Sequence, residues 1–244
     1  MYHPVISQMT PPAGKPSVSV RASEDPGRHA VNAFVRDAAG KAPAGARVLD
    51  AGAGECVYRP LFEGRRYVAI DRGVGDGAWD YGKLDATADL ERIPFAAGSF
   101  ELVLCTETLE HVARPQRVLA ELRRVLKPGG TLALSVPFLQ PLHQAPHDYY
   151  RYTPYGLRHL LAEAGFEVER LSAAGGFFTY LHLQLGDLPS HLPLGLKASL
   201  RSWISWPFRA FVRCSAVLLR LWIGMLTRLD SAEVRPLHYL VLAR

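Results

Sequence analysis

The stretch "VLDAGAGE" (Val48 to Glu55) decides the fold. Three apolar or small residues bracket one acid, and a Gly-x-Gly turn follows at Gly52 and Gly54. A short apolar run bounded by glycines reads as a buried strand entering a tight turn. Glycine there permits backbone conformations closed to other residues and lets a ligand approach the main chain. Outward from this point the chain alternates. "PGRHAVNAFVRDAAG" before it has apolar residues at helical spacing, stopped by Gly40. After it come the strand "YVAID", the strand "SFELVLCT", a helix through "RPQRVLAELRRVL" halting at "KPGG", and the strand "TLALSVPF". Thr153 then caps a helix with Pro154 at its first position, ended by Gly165, and "FEVERLSA" and "LHYLVLAR" follow as strands. Strands alternating with helices predict a doubly wound α/β fold with a mostly parallel sheet covered on both faces. The last strand is expected to pair antiparallel beside "FEVERLSA".

Composition narrows the function classes. The 244 residues are 48% hydrophobic and 21% charged, close to the globular average, and suit one domain over 26–244. Residues 1–25, rich in proline and small residues, read as a disordered lead-in without a secretory signal. Three scattered cysteines, Cys56, Cys105 and Cys214, argue against a disulfide framework or a zinc site and fit a reducing, cytoplasmic compartment. The net charge of +5 is local. Between Leu188 and Leu229 lie six cations and no acid, so the rest of the chain is slightly acidic and no nucleic-acid partner is expected.

In an open α/β sheet, ligands bind beyond the carboxyl ends of the strands. The glycine turn lacks the third glycine of the dinucleotide fingerprint, since Val57 stands there. Asp71 ends the next strand, at the distance where a carboxylate accepts both ribose hydroxyls. A ribose acid without a well-formed pyrophosphate turn suits an adenosine carrying a sulfonium amino acid better than NAD.

At these residues the chain resembles a known family. "VLDAGAGE", "AIDR", "DLERIPFAAGSFELVLCTETLEHV" and "RVLKPGGTLALSVP" look, in order, like the motifs of class I S-adenosylmethionine-dependent methyltransferases of the methyltransferase-11-like group. The resemblance spans roughly Arg47 to Leu171. It implies a Rossmann-like, seven-stranded sheet with an antiparallel final strand, and S-adenosyl-L-methionine as cofactor. It also implies roles for residues. Asp50, Ala51, Gly52 and Gly54 would surround the methionine end, and Asp71 with Arg72 the ribose. Asp89 would accept the adenine amino hydrogen, in preference to Asp85, with Leu90 packing on the ring. Thr106 and Glu107 would line the pocket near the methyl. Glu110 and His111 match the family's Glu-His pair and are expected to fix the start of the following helix.

"HQAPHDYYRYTPYGL" (His143 to Leu157) joins a strand to a helix at the same sheet edge and is longer than most such connections. It is expected to wall the acceptor pocket, with His147, His143 and Tyr149 as candidate catalytic groups. The bland alternative for the same residues is that Tyr150 and Tyr152 pack inward and Asp148 pairs with Arg151. No metal-ligand spacing occurs, so a metal-free enzyme is expected.

Between about 175 and 235 lies a basic helical insert that the family ordinarily lacks, read as two helical pieces hinged near Pro207. Arg213 and Arg220 interrupt any membrane-spanning run. Arg209, Arg213 and Arg220 share one helical face, and Phe211, Leu218, Leu219 and Trp222 lie largely elsewhere, with Trp203 and Trp206 nearby. This pattern suits either a helix lying in a membrane interface or a cap or homodimer surface through 188–229. The interface reading places the protein against the inner face of the membrane, with a lipid-linked acceptor such as a quinone precursor or a polyprenyl-borne sugar. The expected function is methyl transfer from S-adenosylmethionine to a small-molecule or lipid- or sugar-linked acceptor. The alternatives are an NAD(P)-dependent oxidoreductase and a catalytically silent cofactor-binding scaffold.

Overall fold

A computed structural model describes residues 26–75, 78–191, 205–230 and 235–244. The expected lead-in at 1–25 and Trp203 lie outside the described residues. Strands β1 (Arg47–Ala51), β2 (Arg66–Asp71), β3 (Ala86–Thr87), β4 (Phe100–Thr106), β5 (Leu126–Pro137), β6 (Val168–Ala174) and β7 (His238–Ala243) form one sheet in the order β3-β2-β1-β4-β5-β7-β6. β7 runs antiparallel to both β5 and β6, and the other pairs are parallel. Strand order reverses between β1 and β4, which places a crevice at their carboxyl ends.

The sheet is apolar on both faces because its residues alternate between two cores. Leu49, Val103, Leu132, Leu134 and Val241 point to one side, against Val118, Leu119 and Leu122 of helix α2 (Pro115–Val125) and Leu157 and Leu161 of helix α3 (Pro154–Glu163). Val48, Leu102, Leu104, Ala133 and Leu242 point to the other, against Val31, Phe34, Val35 and Ala38 of helix α1 (Pro26–Lys41). Period two in the strands meeting period 3.6 in the helices produces this layering. The Thr153 side chain accepts from Gly156 N at 3.1 Å, and Pro154 follows it, so α3 begins as expected. β5 departs from expectation. It starts at Leu126 instead of Thr131 and carries "KPGG" as an irregularity, Gly129 taking φ +74° between the Phe100 and Leu102 pairings.

The insert between β6 and β7 contributes helices α4 (Phe177–His191) and α5 (Ser205–Leu226), which pack on each other, with Gly224 of α5 against His182. Pro207 sits in the first turn of α5, where proline is tolerated because no intrahelical N–H bond is made, and the helical piece expected before it lies largely outside the described residues. The side chains of Trp206, Arg209, Phe211, Arg213 and Arg220 lie outside the described ones. Asp230 anchors the two ends of the insert to each other. Its carboxylate accepts from Phe178 N and Thr179 N, each at 2.8 Å, and from Thr179 Oγ at 2.5 Å, an acid capping the amino end of α4. Asp230→Ala is therefore expected to cost about 1–2 kcal/mol, lowering Tm by roughly 2–8 °C while leaving cofactor affinity unchanged. Thermal unfolding with and without S-adenosylhomocysteine checks both halves; an unshifted Tm refutes the anchor.

Candidate active site

The glycine turn leaves β1 with Gly52 at φ +87°, its N–H and that of Ala53 donating to Ile70 O at 2.9 and 3.1 Å. A side chain at 52 has no room. A Cβ there would lie 2.3 Å from both Cγ2 and Oγ1 of Thr108, whose hydroxyl bridges Thr106 O at 2.8 Å and Gly52 O at 3.3 Å. Asp71, at the end of β2, closes the turn. Its carboxylate accepts from Gly54 N at 3.0 Å and from Gly73 N at 2.8 Å.

These groups border a cleft of about 560 Å³, within the usual range for small-molecule sites. Gly52, Gly54, Asp71, Arg72, Asp89, Leu90, Thr106 and Glu107 all line it. So does Trp79, whose ring lies 3.1 Å from where a Gly54 Cβ would be. Asp85 does not: its carboxylate accepts from Ala69 N at 2.8 Å and pairs with Arg59 at 2.9 Å, a strand-end role. A cradle that admits only glycine, two carboxylates and an apolar slot beside Leu90 fit an adenosyl cofactor.

Asp50 and Ala51 stand apart from this lining. Neither lines the cleft, because both are fully buried within β1. Ala51 joins Leu49 in one core, and strand alternation turns Asp50 to the opposite side, where the Tyr67 hydroxyl donates to it. Burial, against the Tyr67 bond, lifts its pKa to about 7.

Past β4 the backbone reverses at Glu107, which takes φ +49°, an uncommon conformation for a residue with a side chain. Ser135 Oγ donates to Glu107 Oε1 at 2.8 Å, and His238 Nε2 lies 3.1 Å from Oε2. Burial pushes this carboxyl up, but His238 and Ser135 outweigh it and the net direction is down. His238 was missed in the sequence; its signal was an imidazole at the head of an otherwise apolar strand.

The loop that carries the tract His143 to Leu157 borders the cleft, with Gln140, His143, Gln144, His147 and Tyr149 facing it. It is pinned beneath. Tyr149 N and Tyr150 N donate to Glu110 O at 2.9 and 3.3 Å, and the buried Tyr152 donates its hydroxyl to Leu109 O at 2.9 Å. Asp148 binds Arg151 at 2.6 and 2.9 Å and accepts from His143 N at 3.0 Å. Burial opposes its ionisation, yet Arg151 and the His143 amide hold its pKa down to about 2. The tract thus has both characters, with Tyr152, Asp148 and Arg151 building the loop and His143, His147 and Tyr149 facing the cleft. The Glu110–His111 pair does not hold the start of α2. Arg114 is the N-cap residue and makes no side-chain cap bond, and Glu110 turns inward instead.

Comparison with known proteins bears on this geometry. The family model for a methyltransferase domain matches residues 49–134. The chain is 35% identical over 181 residues to a demethylmenaquinone methyltransferase of Renibacterium salmoninarum, covering 70% of this chain and 69% of that one. It belongs to the class I S-adenosylmethionine-dependent methyltransferases. It is also 31% identical over 157 residues to a ubiquinone biosynthesis O-methyltransferase of Pseudomonas aeruginosa, covering 52% of this chain and 66% of the relative's length. The fold matches that of the 1,6-didemethyltoxoflavin-N1-methyltransferase of Burkholderia thailandensis, solved with S-adenosylhomocysteine, at a TM-score of 0.53 and 17% identity over 91% of this chain and 78% of that one. The cofactor of this methyltransferase is S-adenosylmethionine, and neither the oxidoreductase nor the silent-scaffold alternative finds support among these relatives.

Proposed function

We propose that this methyltransferase moves the cofactor's methyl group onto a hydroxyl oxygen of a small acceptor carried on a membrane lipid, a quinone precursor being the nearest chemistry. One observation carries the reading: the glycine turn and Asp71 share a single cleft with the imidazoles and phenol of the tract. When bound, S-adenosylmethionine supplies a methyl on a sulfonium, which passes to the acceptor oxygen while the carbon–sulfur electron pair stays on sulfur. Asp71 holds the ribose hydroxyls, and Asp89 with Leu90 the adenine. Thr106 and Glu107 border the methyl end. His147, hydrogen-bonded through Nδ1 to the Tyr149 hydroxyl at 3.2 Å, receives the acceptor's proton, and the tract aligns the oxygen and excludes water.

The lipid side rests on the insert, read as an accessory to the single domain over 26–244. On α5 and the turn after it, Leu218, Leu221, Trp222, Met225 and Leu229 are each more than half exposed and recur at helical spacing, in a segment whose charges are all basic. An exposed apolar stripe of this kind marks a contact surface. Among the described residues no helix is long and apolar enough to cross a membrane, and the proposed contact is a peripheral one. The relatives named for ubiquinone and menaquinone synthesis favour the same acceptor class.

Titration calorimetry tests the core of the proposal. S-adenosylmethionine and S-adenosylhomocysteine are expected to bind at micromolar concentrations and NADH not at all; the reverse overturns it. Sedimentation with anionic vesicles tests the insert. Binding should weaken with salt and be lost in Trp222→Glu, whereas a vesicle-indifferent dimer would reassign the stripe to a second copy.

A further inference from the structure

The carbonyl of Glu110 pins the tract through Tyr149 N and Tyr150 N, but no hydrogen bond accounts for the position of its carboxylate. The residue sits in the short 3-10 turn Leu109–His111 after β4, fully buried, with no hydrogen-bond partner on either carboxylate oxygen. An isolated carboxylate in such a place is costly unless something pairs with it. Two imidazoles face it. His111 Nε2 lies 3.5 Å and His143 Nε2 3.9 Å from Glu110 Oε1, the rings meeting edge to face with centroids 4.7 Å apart. Their other nitrogens determine which atom is bare. His111 Nδ1 is 2.8 Å from the carbonyl of His147, which can only accept, so Nδ1 carries the proton and the buried Nε2, itself without a hydrogen-bond partner, offers a lone pair. His143 Nδ1 faces two acceptors, Pro141 O at 3.1 Å and Asp148 Oδ2 at 3.4 Å, and one donor, Arg151 Nη2 at 3.3 Å; with the proton on Nδ1 its Nε2 is likewise bare. Three ligand atoms therefore converge within 4.8 Å of one another.

We propose that Glu110, His111 and His143 form a divalent transition-metal site that takes an acceptor hydroxyl on its open side. Two imidazoles and one carboxylate are the donor set of open zinc and non-haem iron sites, not of the all-oxygen sites favoured by magnesium or calcium. The carbonyls on His111 and His143 Nδ1 are the outer partners that orient ligating imidazoles. Metal–nitrogen distances of about 2.1 Å place ligand atoms roughly 3.4 Å apart, so a cation draws His143 inward by about an ångström. Both histidines line the cleft, so the fourth position faces the acceptor. A hydroxyl bound there would be acidified enough to give its proton to His147 near neutral pH, leaving an oxygen lone pair to accept the methyl. That last step rests on the methyl-transfer reading above; binding of the metal does not. The expectation of a metal-free enzyme came from ligand spacing along the chain, and His143 arrives from another loop.

The test uses the metal-stripped full chain, with Zn2+ followed by calorimetry and Co2+ by its visible absorption. One equivalent is expected to bind at micromolar or lower Kd with a four- or five-coordinate Co2+ spectrum. His143→Ala, on a surface loop, should weaken binding at least thirtyfold with unchanged Tm of the metal-free protein. Glu110→Gln and His111→Ala should do the same, and the exposed His159→Ala should bind as the parent does. No bound Co2+, or binding indifferent to His111→Ala and His143→Ala, overturns the site. Titrating S-adenosylhomocysteine into the same samples separates the two proposals. Cofactor binding without Co2+ binding removes only the metal, and Co2+ binding without cofactor binding removes only the methyl-transfer reading.

Discussion

Gly52→Ala is expected to abolish measurable binding of S-adenosylhomocysteine and to lower stability by about 2–4 kcal/mol. Two costs combine. At φ +87° an alanine is strained whatever its surroundings. Its Cβ would also fall 2.3 Å from two side-chain atoms of Thr108, far inside contact distance. Thr108 cannot simply swing aside, since its hydroxyl ties together the carbonyls of Thr106 and Gly52 at the floor of the cleft. The turn must shift, and the wall of the cleft that it forms shifts with it. Gly165→Ala isolates the first cost: φ is +80° with nothing within 4 Å of the new Cβ, so about 1 kcal/mol should be lost and affinity kept. Combining Gly52→Ala with Thr108→Gly should recover part of the stability. Parent-like affinity in Gly52→Ala would show that the cofactor does not approach this turn.

Asp71→Ala is expected to weaken S-adenosylhomocysteine binding a hundredfold or more. A carboxylate accepting two ribose hydroxyls makes two charge-assisted hydrogen bonds, each contributing about 1.5–3 kcal/mol, and about 1.4 kcal/mol is a factor of ten. The same carboxylate braces the turn through Gly54 N, so its removal also loosens the amides beside it. Asp71→Asn keeps one acceptor oxygen and should lose roughly tenfold. Calorimetry measures both, with circular dichroism as the check on folding. Unchanged affinity in the alanine variant would place the ribose elsewhere.

The legibility of this protein in its sequence follows the range of the interactions involved. Helix α1 and the start of α3 were readable because a periodic apolar face, Thr153 and Pro154 act within one or two turns. β7 pairs with β6 as expected, but it lies inside the sheet between β5 and β6, which suits a strand buried along its whole length. The side of a strand on which a given residue emerges was harder. Asp50 belongs to the same motif as Gly52, yet alternation in β1 carries its carboxyl away from the cleft and under Tyr67. "KPGG" looked like a terminator, and Leu126 nonetheless pairs with Phe100.

The sequence by itself determined the alternating α/β order, the glycine turn at Gly52 and Gly54, the acid at the end of β2 and the basic insert. Each is written in neighbouring residues, through periodicity, permitted φ angles or uninterrupted charge. Only the tertiary structure decided that His238 meets Glu107, that Asp230 caps α4, and that His143 comes within 3.9 Å of Glu110. Those encounters join residues far apart along the chain. They depend on strand order and on the path of a long loop, and a side chain's partners across a fold leave no mark on the residues beside it.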